Sequence, residues 1–272
     1  MTRLKPADVQ LIPTTLEEYE EELMKKTGCT LLEIAEDAAR ADENVEAILR
    51  KTKGAVVPIT SGGGVIGGFV QAVAAILNHI GIRTTITHGT DITGIAEAFE
   101  HDADLMFLAD DRKFVAINLH TRQVVDNATS TAKAYVAVLD KMTNGLRGKP
   151  VLVIGIGNVG TQVISELIRR KARPLAVDLD RIRLRALIKK YRGLVVAFNT
   201  VDEAISHTNL IINAAPTRNI LSAEMIKEEM LIAAPAIPVG LTQAALRKLE
   251  HNLVHDPLQL GVATMAVEAC AN

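Results

Sequence analysis

Three glycines and one aspartate carry the clearest chemical signal in this sequence. Gly155, Gly157 and Gly160 occur in the order Gly-Ile-Gly-Asn-Val-Gly, directly after the apolar run Val151-Leu152-Val153-Ile154. Glycine at 155 permits a tight turn. At 157 it lets the backbone approach a diphosphate, and at 160 it lets the next helix pack close to the strand. Asn158 and Val159 fall in the first turn of that helix, whose free amides and positive dipole end favour phosphate. About twenty residues further on, Asp178 closes the apolar run Pro174-Leu175-Ala176-Val177, the spacing of the acid that accepts from ribose hydroxyls. A carboxylate there repels a 2′-phosphate, so the unit predicts NAD rather than NADP. Asn213-Ala214-Ala215-Pro216 follows a later strand and is assigned to the nicotinamide-ribose end of the same cofactor.

The elements that must hold this unit are legible on both sides of it. Continuous apolar runs at 151–154, 174–177, 194–198, 210–213, 230–233 and 252–255 read as strands of a parallel sheet. Upstream, strands are expected at 56–60, 83–88, 104–109 and 114–119, with helices at 69–80 and 95–101. The strand at 56–60 runs into a glycine-rich turn, Ser61-Gly62-Gly63-Gly64-Val65-Ile66-Gly67-Gly68. Thr15-x-x-Glu18 and Thr30-x-x-Glu33 read as capping boxes of two opening helices, with Gly28 as a stop between them and the second helix running to Lys51. The fold class is therefore α/β: a C-terminal Rossmann domain with a parallel sheet, preceded by a smaller α/β domain with N-terminal helices. Chain order divides it into a substrate domain at 1–126, a linking helix at 127–148 and an NAD-binding domain at 149–272.

Composition narrows the function classes. The chain has 272 residues, enough for two modest domains, and its hydrophobic share of 48% is ordinary for a folded protein. A net charge of −2 and only 3% aromatic residues argue against nucleic acid as a partner. No apolar run reaches membrane-spanning length. Cys29 and Cys270 stand alone, which favours the reducing cytoplasm over a disulfide framework. No metal-ligand spacing is present, so no metal is expected. The sequence admits a homo-oligomer without specifying one.

Beyond the dinucleotide unit, the chain resembles the pyrrolysine synthase family. The resemblance rests on Val57-Pro58-Ile59-Thr60-Ser61-Gly62 through Gly67, then on Leu108-Ala109-Asp110-Asp111, Phe114 and Asn118-Leu119. It continues through Val153–Gly157, Asp178-Leu179-Asp180-Arg181, Asp256-Pro257-Leu258 and Gly261-Val262-Ala263-Thr264-Met265. The glycine motif is shared by many families, whereas the Pro-Ile-Thr-Ser-Gly and Ala-Asp-Asp segments in this order are more specific. The resemblance implies an NAD-dependent amine dehydrogenase acting on an isopeptide, lysine acylated on its side chain by 3-methyl-D-ornithine. Oxidation of the terminal amine, loss of ammonia and closure of the free α-amine on the resulting aldehyde would form the pyrroline ring of pyrrolysine. The family pattern has a glutamate where this chain has Asp256 and a glycine where it has Gln259. Two other readings remain: an NAD-dependent dehydrogenase for another lysine or ornithine derivative, and a non-catalytic NAD-responsive regulator.

An amine substrate needs acids. A primary ammonium titrates near about 10.4 and must lose its proton before a hydride can leave the adjacent carbon. Carboxylates can hold the ammonium and assist that proton transfer. Asp110, Asp111 and Asp256 are the candidates. Neighbouring strand residues face opposite ways, so Asp110 is expected to take the substrate role and Asp111 to open the turn before Arg112-Lys113. Asp256 ends the last strand and is expected, with Asp110, to be catalytic. Ser61, Gly62 and the glycines after them offer an amide-rich turn for a substrate carboxylate or amide.

Overall fold

The computed structural model describes residues 3–271. Four helices open the chain: α1 (Pro6–Val9), α2 (Ile12–Thr27), α3 (Leu31–Ala39) and α4 (Val45–Leu49). The capping box at Thr30 and Glu33 forms as expected, with each side chain accepting from the other's backbone N–H. The one read at Thr15 does not. Thr15 lies inside α2, where its hydroxyl donates to the Leu11 carbonyl. The stronger start signal was Pro13, which has no N–H to leave unsatisfied in a first helical turn. The single helix expected to run to Lys51 is broken after Ala39. Arg40 adopts φ 57°, in the left-handed region, and the polar run Asp42-Glu43-Asn44 separates two short apolar faces.

The strand–helix alternation that follows builds a five-stranded sheet from β1 (Lys53–Val57), β2 (Arg83–Ile86), β3 (Leu105–Ala109), β4 (Phe114–Asn118) and β5 (Val124–Asp126), in the order β2-β1-β3-β4-β5. β2, β1 and β3 are parallel, with α5 (Phe69–His79) and α6 (Asp91–Glu100) as crossovers. β4 and β5 return antiparallel. β5 is too short to show a period and was not anticipated.

α7 (Asn127–Met142) leads to the second sheet. Its strands are β6 (Pro150–Ile154), β7 (Arg173–Val177), β8 (Val196–Ala197), β9 (Leu210–Asn213), β10 (Leu231–Ala233) and β11 (Leu253–Val254), all parallel in the order β11-β10-β9-β6-β7-β8. This is the doubly wound Rossmann order, with the reversal between β6 and β9. β6 is buried from Val151 to Ile154, as its unbroken apolar pattern requires. The outer strands β8 and β11 are shorter than their apolar runs suggested.

The chain divides into two compact units differently from its linear order. The first takes residues up to Met24, then Cys29–Ala134, and again the chain from Pro257 onward. The second takes Lys25–Gly28 and Tyr135–Asp256. The Rossmann unit therefore stops at Asp256, not at the C-terminus. The last helix, α12 (Gln259–Cys270), packs on α3 and α5 of the first unit. It is buried on every side from Gln259 to Val267, the pattern of a core helix rather than an amphipathic surface one.

Candidate active site

In the Rossmann unit each glycine of the motif has a separate structural reason. Gly155 adopts φ +87°, and a Cβ there would lie 2.8 Å from Ala215. Gly160 sits so close beneath the turn that a Cβ would clash with the Gly155 carbonyl oxygen. Gly157 is different, because a Cβ there would meet nothing within 4 Å. The space over Gly157 opens at the start of α8 (Asn158–Arg169), a helix of 12 residues whose N-terminus no side chain caps. Uncapped amides, a positive dipole end and open room together fit a diphosphate.

Asp178 follows β7 on the same edge. Its Oδ2 accepts from the Ile156 N–H at 2.5 Å and its Oδ1 from the Asp180 N–H at 2.7 Å. Each carboxylate oxygen keeps a further lone pair for a hydroxyl. The acid therefore braces the glycine turn as well as standing at the ribose position. Arg181 is turned away, its guanidinium donating to the Asn199 side chain and carbonyl at 3.0 and 2.9 Å. Asn213 is fully buried, and its side chain is committed to the fold. Nδ2 donates to the Val239 carbonyl at 2.8 Å, and Oδ1 accepts from the Ala215 N–H at 3.2 Å. Ala214 donates its N–H to the Ile154 carbonyl. Asn213 thus shapes the loop, leaving Ala214, Ala215 and Pro216 to line the turn.

Asp256 lies at the carboxyl edge of the same sheet. The register Val153–Ile212–Ala233–Val254 runs level across β6, β9, β10 and β11. Its side chain is buried, and Tyr135 of α7 faces it. The tyrosine oxygen accepts the Asp256 N–H at 2.9 Å. Its proton can go to the Asp256 carbonyl at 2.9 Å or to Oδ2 at 3.0 Å. Burial and the neighbouring carboxylate hold the phenol well above its ordinary pKa, so it remains a donor. Sequence reasoning missed Tyr135; its one signal was a large polar-tipped ring amid the small residues of α7, which must find a partner when buried. Replacing it with phenylalanine strands the Asp256 N–H. Tyr135→Phe is expected to cost about 1–3 kcal/mol of stability, read as a melting temperature lower by several degrees.

In the first unit the turn expected of Asp111 is opened by its neighbour instead. Asp110 opens the turn, with Oδ1 accepting from the Arg112 and Lys113 N–H groups at 2.7 Å each. The Lys113 and Arg112 amides hold its carboxyl below the usual range. Asp111, expected in that turn, reaches the glycine loop instead. Its Oδ2 accepts from the Gly63 N–H at 2.7 Å, and its Oδ1 pairs with Arg3. Arg3 also donates to the Gly63 and Gly64 carbonyls at 2.8 Å each. The alternation argument could not say which acid the turn amides would capture. The loop's Gly63 amide is satisfied by Asp111, which narrows the anion-binding capacity expected of Ser61 and Gly62. A Cβ at Gly62 would run into the Asp111 carboxylate. Thr60, just before, is fixed by Asp91, whose carboxylate accepts from its N–H at 2.8 Å and from its hydroxyl. The hydroxyl bond leads in holding the Asp91 pKa down.

Among the described residues no cluster of three or more His, Cys, Asp or Glu side chains is arranged to hold a metal ion. None of their helices is long and apolar enough to cross a membrane.

Residues 8–125 match the family model "Pyrrolysine biosynthesis protein PylD, N-terminal domain", and residues 137–239 match "Shikimate / quinate 5-dehydrogenase". The pyrrolysine synthase of Methanosarcina barkeri is 26% identical over 97% of this chain and 97% of its own length. Among solved structures, shikimate dehydrogenase from Aquifex aeolicus superposes with a TM-score of 0.55 at 14% identity, covering 81% of this chain and 92% of that one. Quinate dehydrogenase from Corynebacterium glutamicum, solved in complex with NAD, gives 0.53 at 15% identity, covering 80% and 91%. The structural likenesses establish the dehydrogenase-type Rossmann fold. The resemblance to pyrrolysine synthase extends over nearly the whole chain.

Proposed function

We propose, for a chain that resembles pyrrolysine synthase along nearly all its length, that it oxidises the terminal amine of 3-methyl-D-ornithyl-N6-L-lysine with NAD. The single observation that carries the redox half is the open, uncapped amide cradle over Gly157 with Asp178 bracing its turn. The amine half is supported by the full-length resemblance and by the acids at 110 and 256.

When bound, NAD would accept the hydride. The rest falls to this chain's residues. The amides of Asn158, Val159 and Gly160 would take the diphosphate and Asp178 the adenosine ribose. Ala214, Ala215 and Pro216 would border the nicotinamide ribose. Asp110, ionised and with Oδ2 outside its turn bonds, is suited to holding an ammonium. Within the Rossmann unit, Asp256, hydrogen-bonded to Tyr135, is assigned the removal of the proton from the amine to be oxidised. The neutral amine then yields its carbon-bound hydride and becomes an imine. Water adds to the imine carbon, the C–N bond breaks, and ammonia leaves an aldehyde. The α-amine of the ornithine part attacks that aldehyde and loses water, closing the ring. One NAD is reduced per ring, and the water consumed is returned.

The test is direct: with NAD and the isopeptide, the protein should produce NADH and a product lighter by ammonia and two hydrogens. Silence with the isopeptide but NADH from another lysine or ornithine derivative would favour a sister dehydrogenase. Cofactor specificity follows from Asp178. The native protein should bind NAD about 100-fold or more tightly than NADP. Asp178→Ser should shrink that ratio to below about tenfold, because a full negative charge beside the 2′-phosphate is removed. Calorimetry with both cofactors reads the ratio, and equal affinities in the native protein would contradict the role given to Asp178.

A further inference from the structure

The ladder between β10 and β11 ends in an exchange of partners beside Asp256. The Ile232 N–H donates to the Asn252 carbonyl at 2.9 Å, and the Ala234 N–H to the Val254 carbonyl at 2.9 Å. With Ala233 opposite Val254, a parallel ladder would next pair the Asp256 N–H with the Ala234 carbonyl. Both groups of that rung are taken by side chains. The Asp256 N–H donates to the Tyr135 hydroxyl oxygen at 2.9 Å. The Ala234 carbonyl meets Nδ1 of half-buried His255 at 2.7 Å. A carbonyl oxygen only accepts, so this contact puts the ring proton on Nδ1, and turning the ring over would set a carbon in its place. Nε2, across the ring, takes no part in the contact.

We infer that His255 is a positioning residue for Asp256: its Nδ1–H occupies the Ala234 carbonyl and so leaves the end of β11 free to turn toward Tyr135. This rests on the reading of Asp256 as proton acceptor and deepens it. Asp256 is buried, and a buried backbone N–H must find an acceptor. The ladder offers it the Ala234 carbonyl, and α7 offers it the Tyr135 hydroxyl. The choice also places the carboxylate, because the same hydroxyl lies 3.0 Å from Asp256 Oδ2. Without the His255 donor, the Ala234 carbonyl becomes an open acceptor one rung beyond Val254. Pairing there draws the Asp256 backbone back into the sheet and its carboxylate away from Tyr135. A shift of about 1 Å in a reacting group is enough to slow a reaction about 100-fold.

The experiment compares the native protein with His255→Asn, His255→Phe and His255→Ala. Asparagine keeps a nitrogen donor attached to Cγ, as Nδ1 is, and lacks any counterpart of Nε2. Phenylalanine keeps a ring and has no donor. Alanine, which cannot crowd the site, is the safeguard should phenylalanine fail to fold. NAD affinity and melting temperature serve as folding controls. The backbone amide resonance of Asp256, followed by NMR, reports its partner without reference to activity. The phenylalanine and alanine variants should shift that resonance and lower kcat for the isopeptide about 10- to 100-fold, with KM and NAD affinity within about twofold of native. The asparagine variant should keep the resonance and recover kcat to within about threefold of native. A donorless variant that folds with native kcat and an unmoved resonance overturns the inference while leaving the proposed reaction intact. An asparagine variant as slow as the donorless ones also overturns it, because Nε2 would then be the group required. A native protein silent with the isopeptide overturns the proposed reaction. The Asp256 resonance then still decides whether His255 sets that strand end.

Discussion

Gly157→Val is expected to fold as the native protein does and to bind NAD at least about 100-fold more weakly, a loss of about 2.7 kcal/mol. The reason is the difference among the three motif glycines. The space at Gly157 is open, so an added Cβ meets no protein atom within 4 Å. It instead occupies the room in which a diphosphate would approach the amides of α8. Gly160 offers the contrast. A Cβ there runs into the Gly155 carbonyl oxygen, which belongs to backbone and cannot swing away. Gly160→Ala should therefore lose stability and cofactor together. Thermal melting beside calorimetric titration separates the two. An unchanged NAD affinity in Gly157→Val would remove the cradle from the proposed function.

The same contrast shows how far the sequence carries. Elements whose structure is set by neighbours along the chain were legible: the run Val151–Ile154, the glycine elbow, the capping box of Thr30 and Glu33, and α7 from Asn127 to Met142. Features set by partners far away were not. Arg3 reaches Gly63 and Asp111, and Tyr135 reaches Asp256, across separations that no local pattern encodes. That Asp110 rather than Asp111 opens the turn has the same origin, since both acids can do so and Asp111 instead meets the distant Gly63 amide and Arg3. Asn127 looked like an ordinary residue at a helix start. That Gly261 of α12 packs against it became visible only in the structure, which puts α12 in a unit to which chain order had not assigned it. Chain order misplaced α12 because a helix buried on all sides carries no sign of which sheet buries it.

Asp256→Asn is expected to lower turnover of the isopeptide about 1,000-fold, within the usual range for removing an acid–base group. NAD affinity and melting temperature should stay near native values. The substitution keeps the shape of the side chain and an oxygen for the Tyr135 hydroxyl, so the buried contact at 3.0 Å survives. What it removes is the capacity to take a proton. Asp256→Glu makes the complementary change. It restores the acid of the family pattern but adds a methylene to a position only 4% exposed, where overpacking costs about 1–3 kcal/mol. The glutamate variant should therefore melt several degrees lower yet turn over faster than the asparagine variant. A structural role for Asp256 predicts the opposite order, because the better-fitting asparagine would then be the more active. Turnover and melting curves for the two variants distinguish these cases, and an asparagine variant as fast as the native protein would move the proton transfer to another group.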